Sequence, residues 1–232
     1  MIKITKTGLM GLEGAIRGMR NPMNSWNKGD SGFCLANRVS FCDASCEFSN
    51  EESICVTNGF TVGENDKKLA CKLVKAGSDH RKFLRMIHVQ TDVLAPLYWW
   101  KEYDTYKVGT VANSCSTMHK IHSKEFDVED FSFENCDRWV SNFCEQIVQT
   151  LNICRTKYLD TKDKKVWYQM IQLLPSSYNQ LRTIDLNYEV LLNIYHARKN
   201  HKLDEWRKFC EWIESLPYMR DFLGLEDANA ND

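Results

Sequence analysis

From residue 137 onward the chain repeats apolar side chains at helical spacing and is cut only by Pro175 and Pro217, a pattern that forces a run of helices. Trp139, Phe143, Ile147, Leu151 and Cys154 fall at i, i+4, i+8 spacing and predict a helix over 137–158. A second helix is predicted over 161–174, with Asp163 near its positive end. Pro175 stops it, because proline has no N–H to give and its ring clashes with the preceding turn. Helices over 186–199 and 204–216 follow, the last ended by Pro217. Upstream the period changes. Residues 2–5 read as a short strand, and 83–91 alternate like a half-buried one. The chain is therefore a helix-rich α/β protein, α+β mixed.

Leu9, Leu12, Ile16 and Met19 have helical spacing, with Gly8, Gly11, Gly14 and Gly18 falling about every third residue. They predict a helix whose glycine face packs closely on a sheet; a phosphate-cradling turn is the alternative. A further helix starts near Gly63 with Asn65 as N-cap, turns Leu69, Cys71, Leu73 and Val74 inward, and ends at Gly77. Tyr98-Trp99-Trp100 reads as core, with a stacking platform for a flavin or a base as the alternative. Residues 103–120 are polar and rich in Thr, Ser and Asn.

A chain of 232 residues with 43% hydrophobic and 26% charged residues suits one well-cored domain, expected over 1–225. The acidic stretch 226–232 reads as a disordered tail. No run approaches the length of a membrane span, and the start lacks the apolar core of a signal peptide, so no membrane association and a cytoplasmic location are expected. A net charge of −1 makes nucleic acid an unlikely partner, since phosphate neutralisation needs a basic surface. Ten cysteines are spread along the chain, and most of them are expected to be reduced thiols. Four of them, Cys34, Cys42, Cys46 and Cys55, fall in an irregular segment at 23–63. Only Cys42 and Cys46 have a spacing near that of a zinc knuckle, and His119 and His122 lack companion ligands, so no metal site is expected.

Three features of the C-terminal third stand at fixed offsets: the Leu174-Pro175 break, Asn187 twelve residues after Pro175, and Arg198 eleven residues after Asn187. In this register the chain resembles the flavin-dependent thymidylate synthases, which carry a Leu-Pro break, then Thr-x-Asn-x-Arg, then a helix ending in Leu-Arg-x-x-x-His-Ala-Gln. The stretch from Asn113 to His119 resembles the latter half of that family's signature, Arg-His-Arg-x-x-Ser-x-Asn-Glu-x-Ser-x-Arg-Tyr. It keeps Asn113 and Ser116, has Ser114 for the glutamate, and has Met118-His119 for Arg-Tyr. The Arg-His-Arg half is absent. An ungapped alignment puts Tyr106-Lys107-Val108 there; counting from His80 puts Trp99-Trp100-Lys101 there.

The resemblance implies helices on a central, largely antiparallel sheet. It also implies methylation of dUMP or a related pyrimidine nucleotide with reduced FAD, methylenetetrahydrofolate and NADPH, in a homotetramer. Arg198 matches the family's pyrimidine-contacting arginine and is the expected catalytic residue, a planar donor fork suited to a ring edge. Ser114, Ser116 and Lys107 join it as expected substrate contacts. Lys101, Trp100, Asn113, Asn187 and His119 are the expected cofactor contacts, Lys101 or Lys107 standing in for a lost arginine. Each has a plainer role open to it: Arg198 suits the negative end of a helix, Asn187 can cap the helix after it, and Ser114 and Ser116 suit a turn. A non-catalytic nucleotide-binding protein on the same fold is the alternative function. A single-stranded nucleic-acid binder using Tyr98, Trp99 and Trp100 is a weaker third.

Overall fold

The computed structural model describes residues 1–34 and 55–225. Cys42, Cys46 and the acidic stretch 226–232 lie outside the described residues. The strands are β1 (Lys3–Met10), β2 (Gly32–Phe33), β3 (Phe60–Thr61), β4 (His88–Pro96), β5 (Thr110–Ser114) and β6 (Asn179–Asn187). The helices are α1 (Leu12–Gly18), α2 (Glu64–Lys75), α3 (Leu97–Tyr103), α4 (Arg138–Thr161), α5 (Lys164–Leu173), α6 (Tyr188–Arg198), α7 (Asp204–Ser215) and α8 (Met219–Leu223). Four strands form a sheet in the order β1-β4-β6-β5, and β2 pairs antiparallel with β3. The expected mixed α/β class with an antiparallel sheet is the fold observed. No helix among the described residues is long and apolar enough to cross a membrane.

The described chain divides into two compact units. The first comprises Met1–Lys3, Val93–Tyr106 and Ala112–Thr183. In it, α4 and α5 pack together over a core of Ile121, Phe126, Phe131, Val148, Leu151 and Met170. The inward line of α4 is Cys144, Val148 and Leu151, whereas Trp139 is 74% and Phe143 60% exposed. Side chains four apart advance about 40° beyond a full turn at each step, so the line through 139, 143, 147 and 151 winds off the buried face. Asp163 caps α5, its carboxylate accepting the Lys165 N–H at 2.8 Å. Trp99, Trp100 and Tyr103 of α3 are fully buried against one another. Each such ring contributes on the order of 1.5–3 kcal/mol by leaving water.

The second unit comprises Ile4–Asp92, Lys107–Val111 and the residues from Ile184 onward. Here α6 packs on α7, α7 on α8, and α8 on α2, and a 3-10 turn at Lys82–Met86 packs on α1 and α6. Several local expectations are corrected in this unit. The first strand runs on through Leu9 to Met10, and Gly11, at φ 81°, turns the chain into α1. The glycine face of α1 meets Met86 rather than the sheet: a Cβ on Gly11 would lie 2.1 Å from the Met86 carbonyl oxygen, and one on Gly18 3.7 Å from its sulfur. The alternation read over 83–91 begins as that 3-10 turn, and the strand proper starts at His88. Asn65 does not cap α2. The helix starts one residue earlier, and the Asp30 carboxylate accepts the N–H groups of Asn65 and Asp66, at 2.8 and 3.0 Å. A side chain thirty-odd residues upstream thus does what local spacing assigned to Asn65.

Candidate functional site

In the first unit the residues of the partial signature lie at the end of β5, an edge strand of the sheet. Asn113, Ser114, Ser116 and His119 are all exposed. The Ser116 hydroxyl oxygen accepts the N–H groups of Met118 and His119, at 3.3 and 2.8 Å, so Ser116 closes a turn. With both lone pairs engaged, the hydroxyl offers a donor outward, which suits an anionic oxygen. Cys115, between the two serines, is held on both sides by β6. Its N–H donates to the Leu181 carbonyl at 3.0 Å, and its carbonyl accepts the Gln180 side-chain amide at 2.6 Å.

Gln180 leads to a network that the sequence pattern does not announce. Its amide oxygen accepts the Arg182 Nε–H at 2.9 Å, and Arg182 Nη1 donates to the Asp104 carboxylate at 2.6 Å. The Arg182 guanidinium lies 4.2 Å over the Trp100 ring. Trp100 in turn donates its indole N–H to the Gln180 carbonyl at 2.9 Å and is 1% exposed. Of the two open roles for this ring, core is the one the structure gives it: Trp99, Tyr103 and Arg182 surround it, and no ring face is open for stacking. Lys101, next to it, is exposed. The Asn179-Gln180-Leu181-Arg182 stretch carries no sequence motif, and only its place at the start of β6, beside β5, brings it to the turn.

In the second unit Asn187 caps α6, its side-chain oxygen accepting the Val190 N–H at 3.1 Å. The turn carrying Lys107 reaches this cap through Gly109. A Cβ on Gly109, at φ 72°, would lie 2.9 Å from Asn187 Nδ2 and 3.1 Å from Val190 Cγ2. The fold therefore brings the Lys107 turn and Asn187 together, and Lys107 itself is exposed. Arg198, in the last turn of α6, is half-buried with its guanidinium 4.7 Å over the ring of Trp206 in α7. That packing presents a flat, always-charged donor fork with one face already supported.

Where the family motif has arginine two residues after its asparagine, this chain has Glu189. Its carboxylate is 9% exposed and accepts from Arg81 Nε at 3.3 Å and from Arg85 Nε, while Arg81 Nη2 donates to Asn193 at 3.1 Å. Burial alone would raise the Glu189 carboxyl, but the hydrogen bonds and charges of Arg85 and Arg81 outweigh it and hold it below its ordinary value. The sign of the residue is inverted, and the positive charge comes from the 3-10 turn and the residue preceding it.

A buried pair stands apart from these residues. Arg20 and Asp66 are 5% and 2% exposed and meet at 2.5 Å. Asp66 also accepts from the N–H groups of Asp30 and Ser31, both at 3.0 Å, and from the Ser31 hydroxyl at 2.6 Å. The pair borders a cavity of about 260 Å³ with Glu13, Arg17 and Trp26. A larger cavity of about 630 Å³ in the first unit lies beside Phe131, Phe133, Glu134 and Glu145. Neither is lined by an expected site residue. For a flavin, the chain offers ammonium groups at Lys101 and Lys107 and exposed polar groups at Asn113 and His119, and no open aromatic face at Trp100. No group of three or more His, Cys, Asp or Glu side chains among the described residues is placed to hold a metal ion.

No family model matches the chain, and no curated protein matches it. Solved structures do. One is the flavin-dependent thymidylate synthase ThyX from Helicobacter pylori complexed with FAD and dUMP. It is 15% identical, with a TM-score of 0.62 over 94% of this chain and 97% of that one. A second structure of ThyX from Helicobacter pylori with FAD and dUMP is 14% identical, with a TM-score of 0.63 over 96% of each chain. The chain has the fold of these flavin-dependent thymidylate synthases, and the expected resemblance holds at the level of the fold.

Proposed function

We propose that this chain is a divergent flavin-dependent thymidylate synthase-like enzyme that methylates dUMP or a related pyrimidine nucleotide, with methylenetetrahydrofolate as carbon donor and NADPH as reductant. The observation that carries the reading is the likeness to two ThyX structures holding FAD and dUMP, which runs nearly end to end in both chains. Arg198 is assigned the pyrimidine ring. Its fork suits a ring edge, and its fixed charge favours negative charge developing on that ring. Ser114 and Ser116 are assigned a phosphate, to which they donate O–H groups, and Lys107 adds a point charge. Lys101, Asn113, Asn187 and His119 are assigned to FAD, with Trp100 backing Lys101 from the core. Reduced flavin, when bound, supplies the hydride. The working form is proposed to be a cytoplasmic homotetramer.

A second reading keeps the nucleotide and drops the flavin, giving a non-catalytic nucleotide-binding protein. The burial of Trp100 under Arg182 favours it, together with the absence of a guanidinium at 99–101 and 106–108. One experiment separates the two. The purified protein is examined for flavin absorbance with and without added FAD, then titrated with dUMP and dTMP while its melting temperature is followed. The enzyme reading expects bound flavin and a rise in Tm with dUMP, since a ligand that binds only the native state stabilises it. It also expects that rise to vanish in Arg198→Ala. A Tm rise without flavin selects the second reading, and neither signal overturns both.

A further inference from the structure

We infer that Gln180 is a positioning residue for nucleotide binding, because it fixes the turn that presents Ser114 and Ser116; this rests on the nucleotide reading above. The turn leaves β5 at the edge of the sheet; Ser116 closes its far side and the Trp167 indole N–H holds the Met118 carbonyl at 3.0 Å. Cys115 is its anchor, with the backbone N–H on the Leu181 carbonyl at 3.0 Å and the backbone carbonyl on the Gln180 amide at 2.6 Å. The two serines flank this anchor directly, so any shift of Cys115 moves both hydroxyls. Gln180 is 6% exposed, and its amide has no water to fall back on.

The chemistry of the neighbours sets which way that amide points. Arg182 is donor-only, so the group facing its Nε must be the amide oxygen, at 2.9 Å. The NH2 then faces the Cys115 carbonyl, which can only accept. Arg182 is itself held by Asp104 at 2.6 Å and by the Trp100 ring at 4.2 Å. Asp104, Arg182, Gln180 and Cys115 thus form one hydrogen-bonded chain from the end of α3 to the turn, Arg182 donating to Asp104 and to Gln180 and Gln180 donating on to Cys115, with no second arrangement that satisfies every member.

Gln180→Glu tests this without dismantling the core. The carboxylate keeps the shape and pairs more strongly with Arg182, so the fold is retained. It turns an acceptor toward the Cys115 carbonyl, so that half of the anchor is cut and only the bond from the Cys115 N–H to the Leu181 carbonyl is left to hold the turn. The full-length protein is compared with its variant in three measurements: Tm without ligand, exchange of the Cys115 N–H, and affinity for dUMP by calorimetry. The expected result is a Tm within a few degrees of wild type, Cys115 exchange faster by about tenfold, as for one lost hydrogen bond, and dUMP binding weaker by about the same factor. Arg182→Lys, which keeps the charge for Asp104 but removes the Nε donor that holds the Gln180 amide oxygen, is expected to lie between. Wild-type exchange at Cys115 in Gln180→Glu overturns the inference at its geometric step. Faster exchange with unchanged dUMP affinity overturns the positioning role while leaving the nucleotide reading intact. Failure of the wild-type protein to bind dUMP overturns the nucleotide reading, and the role assigned to Gln180 falls with it.

Discussion

At the scale of single residues, Asp66 and Glu189 are buried carboxylates that arginines hold. Asp66 sits between Arg20, Ser31 and two backbone N–H groups. Burial pushes its carboxyl up, and the Ser31 hydroxyl, the Arg20 guanidinium and the N–H groups of Asp30 and Ser31 more than reverse that, holding it below its ordinary value. Removing one partner of such a pair strands the other, so Asp66→Asn is expected to cost about 3–5 kcal/mol in chemical denaturation. A loss under 1 kcal/mol would mean that Arg20 finds another acceptor. None of this was legible beforehand. Asp66 is one carboxylate in a helix start, and Arg20 follows a glycine-rich stretch. Their meeting depends on the close approach of segments 46 residues apart.

At the scale of elements, helix ends are where sequence and structure agree and part company. Asn187 caps its helix as its position predicts, because an N-cap is a local bond, whereas Asp163, expected inside a helix starting at 161, stands outside α5 as its cap. Asn65 fails as a cap because Asp30 reaches its place from another segment. The Asn187 cap has a tertiary constraint as well, since Gly109 is pressed on it. Asn187→Ala alone is expected to cost about 1 kcal/mol, the usual value of a lost cap. Gly109→Ala is expected to cost about 1–2 kcal/mol, from a left-handed backbone that alanine tolerates poorly and from the displaced Asn187 amide. If Gly109→Ala proves neutral in thermal unfolding, the turn carrying Lys107 does not rest on the cap. Strands β5 and β6 were the elements that the sequence concealed. β5 is an exposed edge strand, and β6, inside the sheet, places Gln180, Ile184 and Leu186 on one buried face, with polar Gln180 and Arg182 where apolar residues would have marked the alternation.

For the whole molecule, the two depressed carboxylates set the response to acid. Asp66 and Glu189 have folded values below their unfolded ones of about 4. Their contribution to stability is therefore complete above that pH and is lost as the pH falls through the folded values. Thermal melts are expected to be flat through neutral pH on this account and to fall steeply below about pH 4, with a shallower fall in Asp66→Asn. A wild-type melt unchanged down to pH 2, roughly two units below the unfolded values, would contradict both assignments. The likeness to the ThyX structures extends nearly end to end at 14–15% identity, so the fold tolerates extensive rewriting of its signature. Whether flavin and nucleotide binding tolerate it is what the absorbance and dUMP titration decide.

The sequence by itself determined the helices of the C-terminal third, the mixed α/β class and the register from Pro175 through Asn187 to Arg198. Each depends on bonds and periodicities within a few turns of chain. The tertiary structure alone decided the rest. It made Trp100 core by laying Arg182 over it, turned Gln180 toward Cys115, set Glu189 between two arginines, and packed the glycine face of α1 on Met86. These are contacts between segments distant in the chain, and no local pattern encodes which segments will meet.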